Sequence, residues 1–335
     1  MSAWSEYKVK NPNLIKSIIN QLSDPRSIFV AIPAFEEEDL YQTVEDCFKK
    51  AANPEKIFVG IANQKVGSNF EDFSKFPNVR VVNTSSEFYF GLGLSFTIAM
   101  ALYDYEDFFL RIDAHSRFEN NWDLILKKNY DIIKNDGYEK PIISYRNPWF
   151  EKNEDGSLNF KEYTNVPDIR SFKRELIDVL PRRENISLET EYEHAPIETW
   201  ENINYKEHYF IAGGLCFAAG GFIKDVFADP RIIFYGEEHT MPMRAYGNGY
   251  KIFAIKEQSV MTMGKTKQYY ENIGSNNWKN LISKGKLKHS FLHKHFTDHY
   301  KLILKGEELG YFGAKDEKAY TDYIEALGIN YKDIL

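Results

Sequence analysis

Short apolar segments that alternate with helical patterns are the feature that most restricts how this chain can fold. Residues 27–33 (SIFVAIP), 56–62 and 107–113 are nearly continuous apolar runs, a pattern typical of parallel strands buried on both faces. Residues 36–52 carry apolar side chains at helical spacing, with acidic residues in the expected first turn. Pro33 is expected to end the first strand. The alternation predicts the α/β fold class, with a mainly parallel central sheet flanked by helices.

The composition is that of a folded, acidic protein. Of the 335 residues, 43% are hydrophobic and 27% are charged, which is enough apolar material for a packed core. The formal net charge is −7, and an acidic average argues against broad electrostatic binding to nucleic acid or to anionic membranes. No apolar run approaches the ~18 residues of a membrane span. We therefore expect neither nucleic acid nor a membrane as a partner.

The chain contains two cysteines, Cys47 and Cys216. Two cysteines far apart in sequence are too few for a disulfide framework, so a reducing compartment is the simpler interpretation. Each lies in a helix-like or apolar segment, where a free cysteine usually behaves as a small core residue. The first residues also lack the apolar segment of a signal peptide. These features predict a cytoplasmic protein.

A polar stretch interrupts the apolar pattern in the middle of the chain. Residues 147–207 are rich in glutamate and aromatic residues and are predicted to form an irregular excursion. We expect residues 1–275 to form one domain around the sheet. Residues 276–335 combine short helical patterns with basic residues and histidines, and they are predicted to form a C-terminal helical appendage.

The segment Asp113-Ala114-His115 follows directly on the last of the apolar runs. In open α/β sheets, ligands bind beyond the carboxyl ends of the strands, which is where this segment would lie. In extended backbone, Asp113 and His115 would point the same way and could share one divalent cation. A carboxylate with an imidazole suits Mn²⁺ or a similar ion. On spacing alone, a surface turn or a local hydrogen bond is the more common explanation of such a triplet.

Several blocks of sequence, in a fixed order, resemble those of one family. The two most specific are residues 113–118 (DAHSRF) and residues 229–238 (DPRIIFYGEE). Further blocks are residues 29–35, residues 58–64, Gly213-Gly214 and residues 243–246. Together they resemble the GlcNAc-transferase family, which includes cytoplasmic enzymes that add N-acetylglucosamine to hydroxyproline on a ubiquitin-ligase subunit, and bacterial and viral relatives.

This resemblance implies the GT-A fold of nucleotide-diphospho-sugar transferases, a UDP-sugar donor with UDP-GlcNAc as the default, and Mn²⁺ or Mg²⁺ as cofactor. By position, Asp113 and His115 match the metal motif, and Glu237 and Glu238 match a Gly-Glu-Glu to which we assign catalysis. A carboxylate there could bind hydroxyls or accept the acceptor's proton, whereas the alternative role is a charge at a helix N-terminus. The residues assigned to the donor site are Pro33, Phe35, Gln64, Arg111, Asp113, Gly213 and Gly214.

Two departures from the family pattern concern the metal and the diphosphate. Residues 259–264 (SVMTMG) contain no histidine where the family has one, so the third metal ligand is water or a histidine from the tail. The tail histidines are His289, His293, His295 and His299, of which His293 is assigned to the metal. The second departure is that no arginine stands near Gly91-Leu92-Gly93.

The resemblance predicts a metal-dependent transfer of a sugar, GlcNAc by default, from a UDP-sugar to a hydroxyl acceptor on a protein or glycan, with retention of configuration. The excursion at residues 147–207 would face the acceptor. Two alternatives stay open at this point. One is an inverting transferase of the polysaccharide type, and the other is a catalytically inactive scaffold that binds sugar nucleotides.

Overall fold

A computed structural model describes residues 24–65, 67–85, 91–153, 155–161, 204–232, 236–264, 299, 301–328 and 332. The strands are β1 (Ile28–Phe35), β2 (Ile57–Lys65), β3 (Val79–Ser85), β4 (Phe108–Ile112), β5 (Ser116–Phe118), β6 (Pro141–Ile143), β7 (Trp149–Lys152), β8 (Leu158–Lys161), β9 (Tyr205–His208), β10 (Leu215–Ala219), β11 (Lys251–Ile255) and β12 (Val260–Met263). The α-helices are α1 (Leu40–Lys50), α2 (Gly91–Met100), α3 (Trp122–Asn135), α4 (Phe222–Asp225), α5 (Glu237–Gly247) and α6 (Glu317–Leu327).

A central sheet organises the molecule, with the strand order β3-β2-β1-β4-β10-β6-β11-β9 in the described part of the chain. Strands β1 to β4 pair in parallel, and β6 is parallel to β11. Strand β10 is antiparallel to both of its neighbours, and β9 is antiparallel to β11. The predicted α/β class is confirmed, with antiparallel strands concentrated in the second half of the sheet.

Helices cover both faces of this sheet because the buried strands are apolar on both sides. On one face, Ile28 and Val30 of β1 pack in the same core cluster as α1 and α3. On the other face, Phe29 and Ala31 pack with α2 and α5. The fully buried Trp122 links two of the helices, since its indole N–H donates to the backbone oxygen of Cys47 at 2.9 Å.

A smaller four-stranded sheet, in the order β5-β12-β7-β8, lies next to the end of β4. Its strands β7 and β8 come from the region predicted to be irregular. That prediction is wrong for residues 149–152 and 158–161, which form an antiparallel pair of strands. Residues 205–208 of the same region form edge strand β9. The remainder of that region, residues 162–203, lies outside the described residues.

Two boundaries near the start of the chain differ from the prediction. Strand β1 continues past Pro33 to Phe35, because β1 pairs with β4 only over residues 28–31 and the missing N–H of Pro33 therefore interrupts no hydrogen bond there. Helix α1 begins at Leu40 instead of Glu36. The acidic residues before it are not in a first helical turn, and two of them bind side chains of the site described below.

Helix α6 packs on α5 through an apolar cluster. Tyr323 and Leu327 of α6 share this cluster with Met243 of α5 and Phe210. Helix α6 lies in the segment predicted to be a helical appendage, residues 276–335, and the Asp316 side chain caps it by accepting from Ala319 N–H at 2.8 Å. The predicted domain boundary at residue 275 falls outside the described residues and stays a prediction. None of the described helices has the length and apolar character needed to cross a bilayer.

Candidate active site

The Asp113-Ala114-His115 segment forms a turn between β4 and β5. The prediction of extended backbone is wrong in detail, since residues 114 and 115 are in a turn. Helix α1 holds this turn through Thr43, whose hydroxyl donates to the backbone oxygen of Ala114 at 2.8 Å and accepts from Ser116 N–H at 3.0 Å. The Ser116 hydroxyl closes the turn by donating to the Asp113 backbone oxygen at 2.8 Å. The turn is therefore fixed by hydrogen bonds from Ser116 and from Thr43 of α1.

Asp113 and His115 line one cavity of about 530 Å³. The cavity lies between the turn and the smaller sheet, and its lining residues are Asp113, His115, Trp149, Glu151, Thr262, Met263 and Gly264. Both residues of the predicted pair thus line one cavity, although the backbone between them is bent. A cavity with an acid, an imidazole and an indole matches the polar and aromatic character of a ligand site.

Asp113 has a defined orientation. Its Oδ2 accepts a hydrogen bond of 3.0 Å from the hydroxyl of Thr262 on β12. Gly214 packs against the same carboxylate, because a Cβ added there would lie 2.9 Å from Asp113 Oδ2. The amide of Asn147 donates to the Gly214 backbone oxygen at 3.1 Å and holds this glycine in place. A side chain at position 214 would displace the carboxylate, so the close approach requires glycine.

His115 is oriented by Glu37, which follows β1. The Nδ1 atom of His115 lies 2.8 Å from Glu37 Oε2, and the side chains are only 12% and 9% exposed. Asp39, two residues further, makes an ion pair of 2.6 Å with Arg117 of β5. The acidic stretch expected to start a helix therefore binds the turn, through His115, and the strand that follows it, through Arg117.

Asp113 and His115 fit a divalent cation of the Mn²⁺ type, since both residues line the same cavity and offer a carboxylate and an imidazole. The Glu37 carboxylate contacts Nδ1 of His115, which leaves Nε2 as the nitrogen that would bind the ion. Within the described ranges, no group of three or more histidine, cysteine, aspartate or glutamate side chains is arranged to hold a metal. His293, the predicted third ligand, lies outside the described residues, as do His289 and His295. His299 contacts Asp229 and Glu308 at 2.9 and 3.0 Å instead.

The two predicted catalytic glutamates at the start of α5 have different surroundings. Glu237 forms an ion pair of 2.8 Å with Arg111, and the two side chains are 2% and 3% exposed. The Arg111 guanidinium also lies over the ring of Phe96, 4.3 Å from its centre. Burial alone would lower the pKa of Arg111, but the nearby charges, Glu237 first, leave it above its ordinary value. The pair joins β4 to the start of α5.

Glu238 is less buried than Glu237 and points to the glycine pair. Its Oε1 accepts from Gly213 N–H at 2.8 Å, and a Cβ added to Gly213 would lie 2.7 Å from the same oxygen. The glycines at 213 and 214 therefore contact one carboxylate each, Glu238 and Asp113. Burial raises the pKa of Glu238 above its ordinary value, against the lowering effect of Arg111.

The remaining predicted donor residues lie at the ends of the first two strands. Pro33 and Phe35 are half-buried at the end of β1, and Gln64 is 1% exposed at the end of β2. Phe35 and Gln64 are register partners across these parallel strands. Gln64 Oε1 accepts no hydrogen bond from any described residue. The three residues are at the carboxyl edge of the sheet, where the prediction placed the donor.

Sequence reasoning did not identify Glu37, Thr262 or Asn147. Glu37 belongs to no recognised sequence motif. Its place directly after a buried parallel strand could have indicated a role in the site. Thr262 stands in the segment where a histidine was expected, and its hydroxyl contacts Asp113. Asn147 acts through the backbone of Gly214, a contact that residue type and spacing do not indicate.

Comparison with known proteins identifies the class to which this chain belongs. The sequence profile of the family described as Glycosyltransferase (GlcNAc) matches residues 27–76 and 70–298. Because the match covers most of the chain, the protein belongs to this glycosyltransferase family. The resemblance stated from the motifs is confirmed, and with the observed sheet so is the predicted α/β, GT-A fold class. A search among curated proteins gave no match.

Several solved structures are similar in fold. GalNAc-T7, crystallised with UDP, GalNAc and Mn²⁺, is 16% identical with a TM-score of 0.49, over 91% of this chain and 55% of that one. This chain thus spans about half of the GalNAc-T7 chain. Residues 1–349 of TarS from S. aureus are 13% identical with a TM-score of 0.42, over 92% of both chains. The same TarS fragment with UDP-GlcNAc is 16% identical with a TM-score of 0.40, over 90% of this chain and 80% of that one.

Proposed function

We propose that this protein is a metal-dependent transferase that moves GlcNAc from UDP-GlcNAc to a hydroxyl group on a protein or glycan, with retention of configuration. The observation that supports it most is the convergence of Asp113 and His115 on one cavity. Each of the two side chains is oriented by a further contact, to Thr262 and Glu37 respectively. The choice of GlcNAc follows the family description. Retention and the hydroxyl acceptor follow the motif resemblance.

In this proposal, Asp113 and His115 would hold a divalent cation, Mn²⁺ or Mg²⁺, and its charge would neutralise the diphosphate leaving group. Thr262 keeps the Asp113 carboxylate turned to the cavity by donating to its Oδ2. Gly213 and Gly214 support the donor site by leaving room for the Glu238 and Asp113 carboxylates, since a Cβ on either glycine would lie within 2.9 Å of the carboxylate next to it. Pro33, Phe35 and Gln64 would contact the nucleotide at the edge of the sheet.

Of the two adjacent carboxylates, Glu238 is the one we assign to the substrates. Its Oε1 is fixed by Gly213, and its Oε2 would accept a hydrogen bond from a donor or acceptor hydroxyl. Glu237 and Arg111 would act indirectly, by holding the start of α5 against β4. We therefore expect Glu238→Gln to lower kcat strongly, and Glu237→Gln to affect stability more than kcat.

The cytoplasm is the proposed site of action. It rests on the two free cysteines, both of which are buried in the core, because buried thiols without a disulfide are typical of proteins from reducing compartments.

The decisive experiment is a panel of UDP-sugars screened for hydrolysis and transfer with and without Mn²⁺. We expect turnover of UDP-GlcNAc that needs the metal and is lost in Asp113→Ala. Asp104→Ala is the matched control, because Asp104 is an exposed aspartate before the opposite end of β4. Proton NMR of the product then gives its anomeric configuration. A β-linked product would contradict retention, and absence of any turnover with UDP binding intact would favour an inactive scaffold.

A further inference from the structure

Glu37 is held between two groups at the end of β1. Its Oε2 lies 2.8 Å from His115 Nδ1, and its Oε1 accepts from Asp39 N–H at 3.2 Å. The backbone before it turns sharply, since Glu36 has a φ of 49° and its N–H donates to the Gln64 backbone oxygen at 2.9 Å. Both carboxylate oxygens are therefore engaged, and the side chain is 9% exposed.

The chemistry of this contact determines which nitrogen of His115 carries the proton. An ionised carboxylate only accepts hydrogen bonds, so His115 Nδ1 must be the donor. In the neutral imidazole, the lone pair is then on Nε2, which is the form that binds a metal. Metal-binding histidines commonly donate their second N–H to a carboxylate in this way. His115 also lines the cavity together with Asp113.

We propose that Glu37 is a positioning residue that holds His115 as the Nδ1–H tautomer and so presents Nε2 to the cation beside Asp113. This inference deepens the proposed function and rests on it for the presence of the cation. Glu37 touches neither substrate nor metal in this account. Its effect is to remove the rotation and tautomer exchange that a free imidazole would have to lose on binding.

The first test measures the tautomer in the metal-free, full-length protein. Histidines are labelled with ¹⁵N and observed by NMR. The signals of the two His115 ring nitrogens are assigned as those that are absent from the spectrum of His115→Gln. In the wild type, at a pH where the ring is neutral, Nδ1 should carry the proton. In Glu37→Gln the amide can also donate, and a mixture of tautomers or the Nε2–H form should appear. Glu38→Gln is the matched control, since Glu38 is the adjacent, exposed glutamate.

The second test is a titration of the protein with Mn²⁺ alone. The EPR signal of the free ion measures how much Mn²⁺ stays unbound at each step. Glu37→Gln should bind Mn²⁺ about 10- to 100-fold more weakly than the wild type, and Glu38→Gln should match the wild type. Thermal unfolding of each variant checks that the fold is retained.

The outcomes separate the two proposals. A wild-type His115 with its proton on Nε2 would overturn the role of Glu37, whatever the variants do. Wild-type binding of Mn²⁺ with no change of tautomer or affinity in Glu37→Gln would overturn it too, and would leave the proposed metal site intact. Failure of the wild type to bind Mn²⁺ would refute the metal site, and with it the purpose assigned to this contact.

Discussion

The buried ion pair between Arg111 and Glu237 allows a quantitative test of how the site is supported. Arg111 was assigned to the donor and Glu237 to catalysis from sequence, and the structure pairs the two side chains at 2.8 Å. The perturbation is Arg111→Met, which keeps most of the length of the side chain and removes its charge. Glu237→Gln and the double variant Arg111→Met/Glu237→Gln complete the cycle.

The expected magnitude follows from the burial of both side chains, which are 3% and 2% exposed. At 2.8 Å and an effective dielectric constant of about 20, the attraction is about 6 kcal/mol, most of which desolvation offsets. Removing one partner leaves the other charge buried, which costs about 3–5 kcal/mol. We expect this cost for Arg111→Met. Glu237→Gln should cost less, because Asp113 and Glu238 still act on the Arg111 charge.

The assay is urea unfolding of the full chain, with tryptophan fluorescence as the signal and the free energy of unfolding as the result. The double variant should be more stable than the sum of the single effects predicts, by about 2–3 kcal/mol, because it leaves no unpaired charge. Additivity within about 0.5 kcal/mol would refute the ion pair as a supporting contact. Loss of kcat in Glu237→Gln with unchanged stability would refute the assignment of Glu237 to support and favour a direct catalytic role.

Three further predictions concern the cavity and the core. Asp113→Ala should abolish Mn²⁺-dependent UDP binding in calorimetry without unfolding the protein, and a folded variant with full activity would contradict its metal role. Gly214→Ala should lower kcat/KM about 10- to 100-fold, because its Cβ would lie 2.9 Å from the Asp113 carboxylate, whereas Gly221→Ala meets no described atom within 4 Å and should be silent. Burial raises the pKa of Cys216 to about 12 and that of Cys47 well above its usual value, so neither should react with DTNB at about pH 8 until the protein is unfolded; rapid labelling of the native protein would show that the core is open.

The fold was predictable where burial alone determines the structure. Strands form within residues 27–33, 56–62 and 107–113. A short, continuous apolar run is typical of a strand with both faces buried, because on a half-exposed strand every second side chain would face water. The two cysteines lie in the core for the same reason. The antiparallel insertion of β10 between β4 and β6 was not predictable, since a short apolar run carries no information on strand direction.

Of the candidate site, the sequence predicted only the motif residues. Asp113 and His115 were assigned from their spacing, their place after a strand and the family resemblance, and both residues line the same cavity. Glu37 and Asp39 were instead predicted to begin a helix, because acidic residues before an amphipathic pattern usually complement the helix dipole. Their actual partners, His115 and Arg117, are about 78 residues further along the chain. Local patterns do not report contacts of such separation.

The contact between Thr262 and Asp113 shows how the site depends on pairing in the smaller sheet. Thr262 lies opposite Ser116 in the antiparallel pairing of β12 with β5, and opposite Trp149 in the parallel pairing with β7. The N–H of the next residue, Met263, donates to the His115 backbone oxygen at 2.9 Å. A slip of one residue would reverse every side chain of β12, and a methionine would then face the carboxylate. The orientation of Asp113, the proposed metal ligand, is thus set by strand register, which places the Thr262 hydroxyl against its carboxylate from a strand almost 150 residues later.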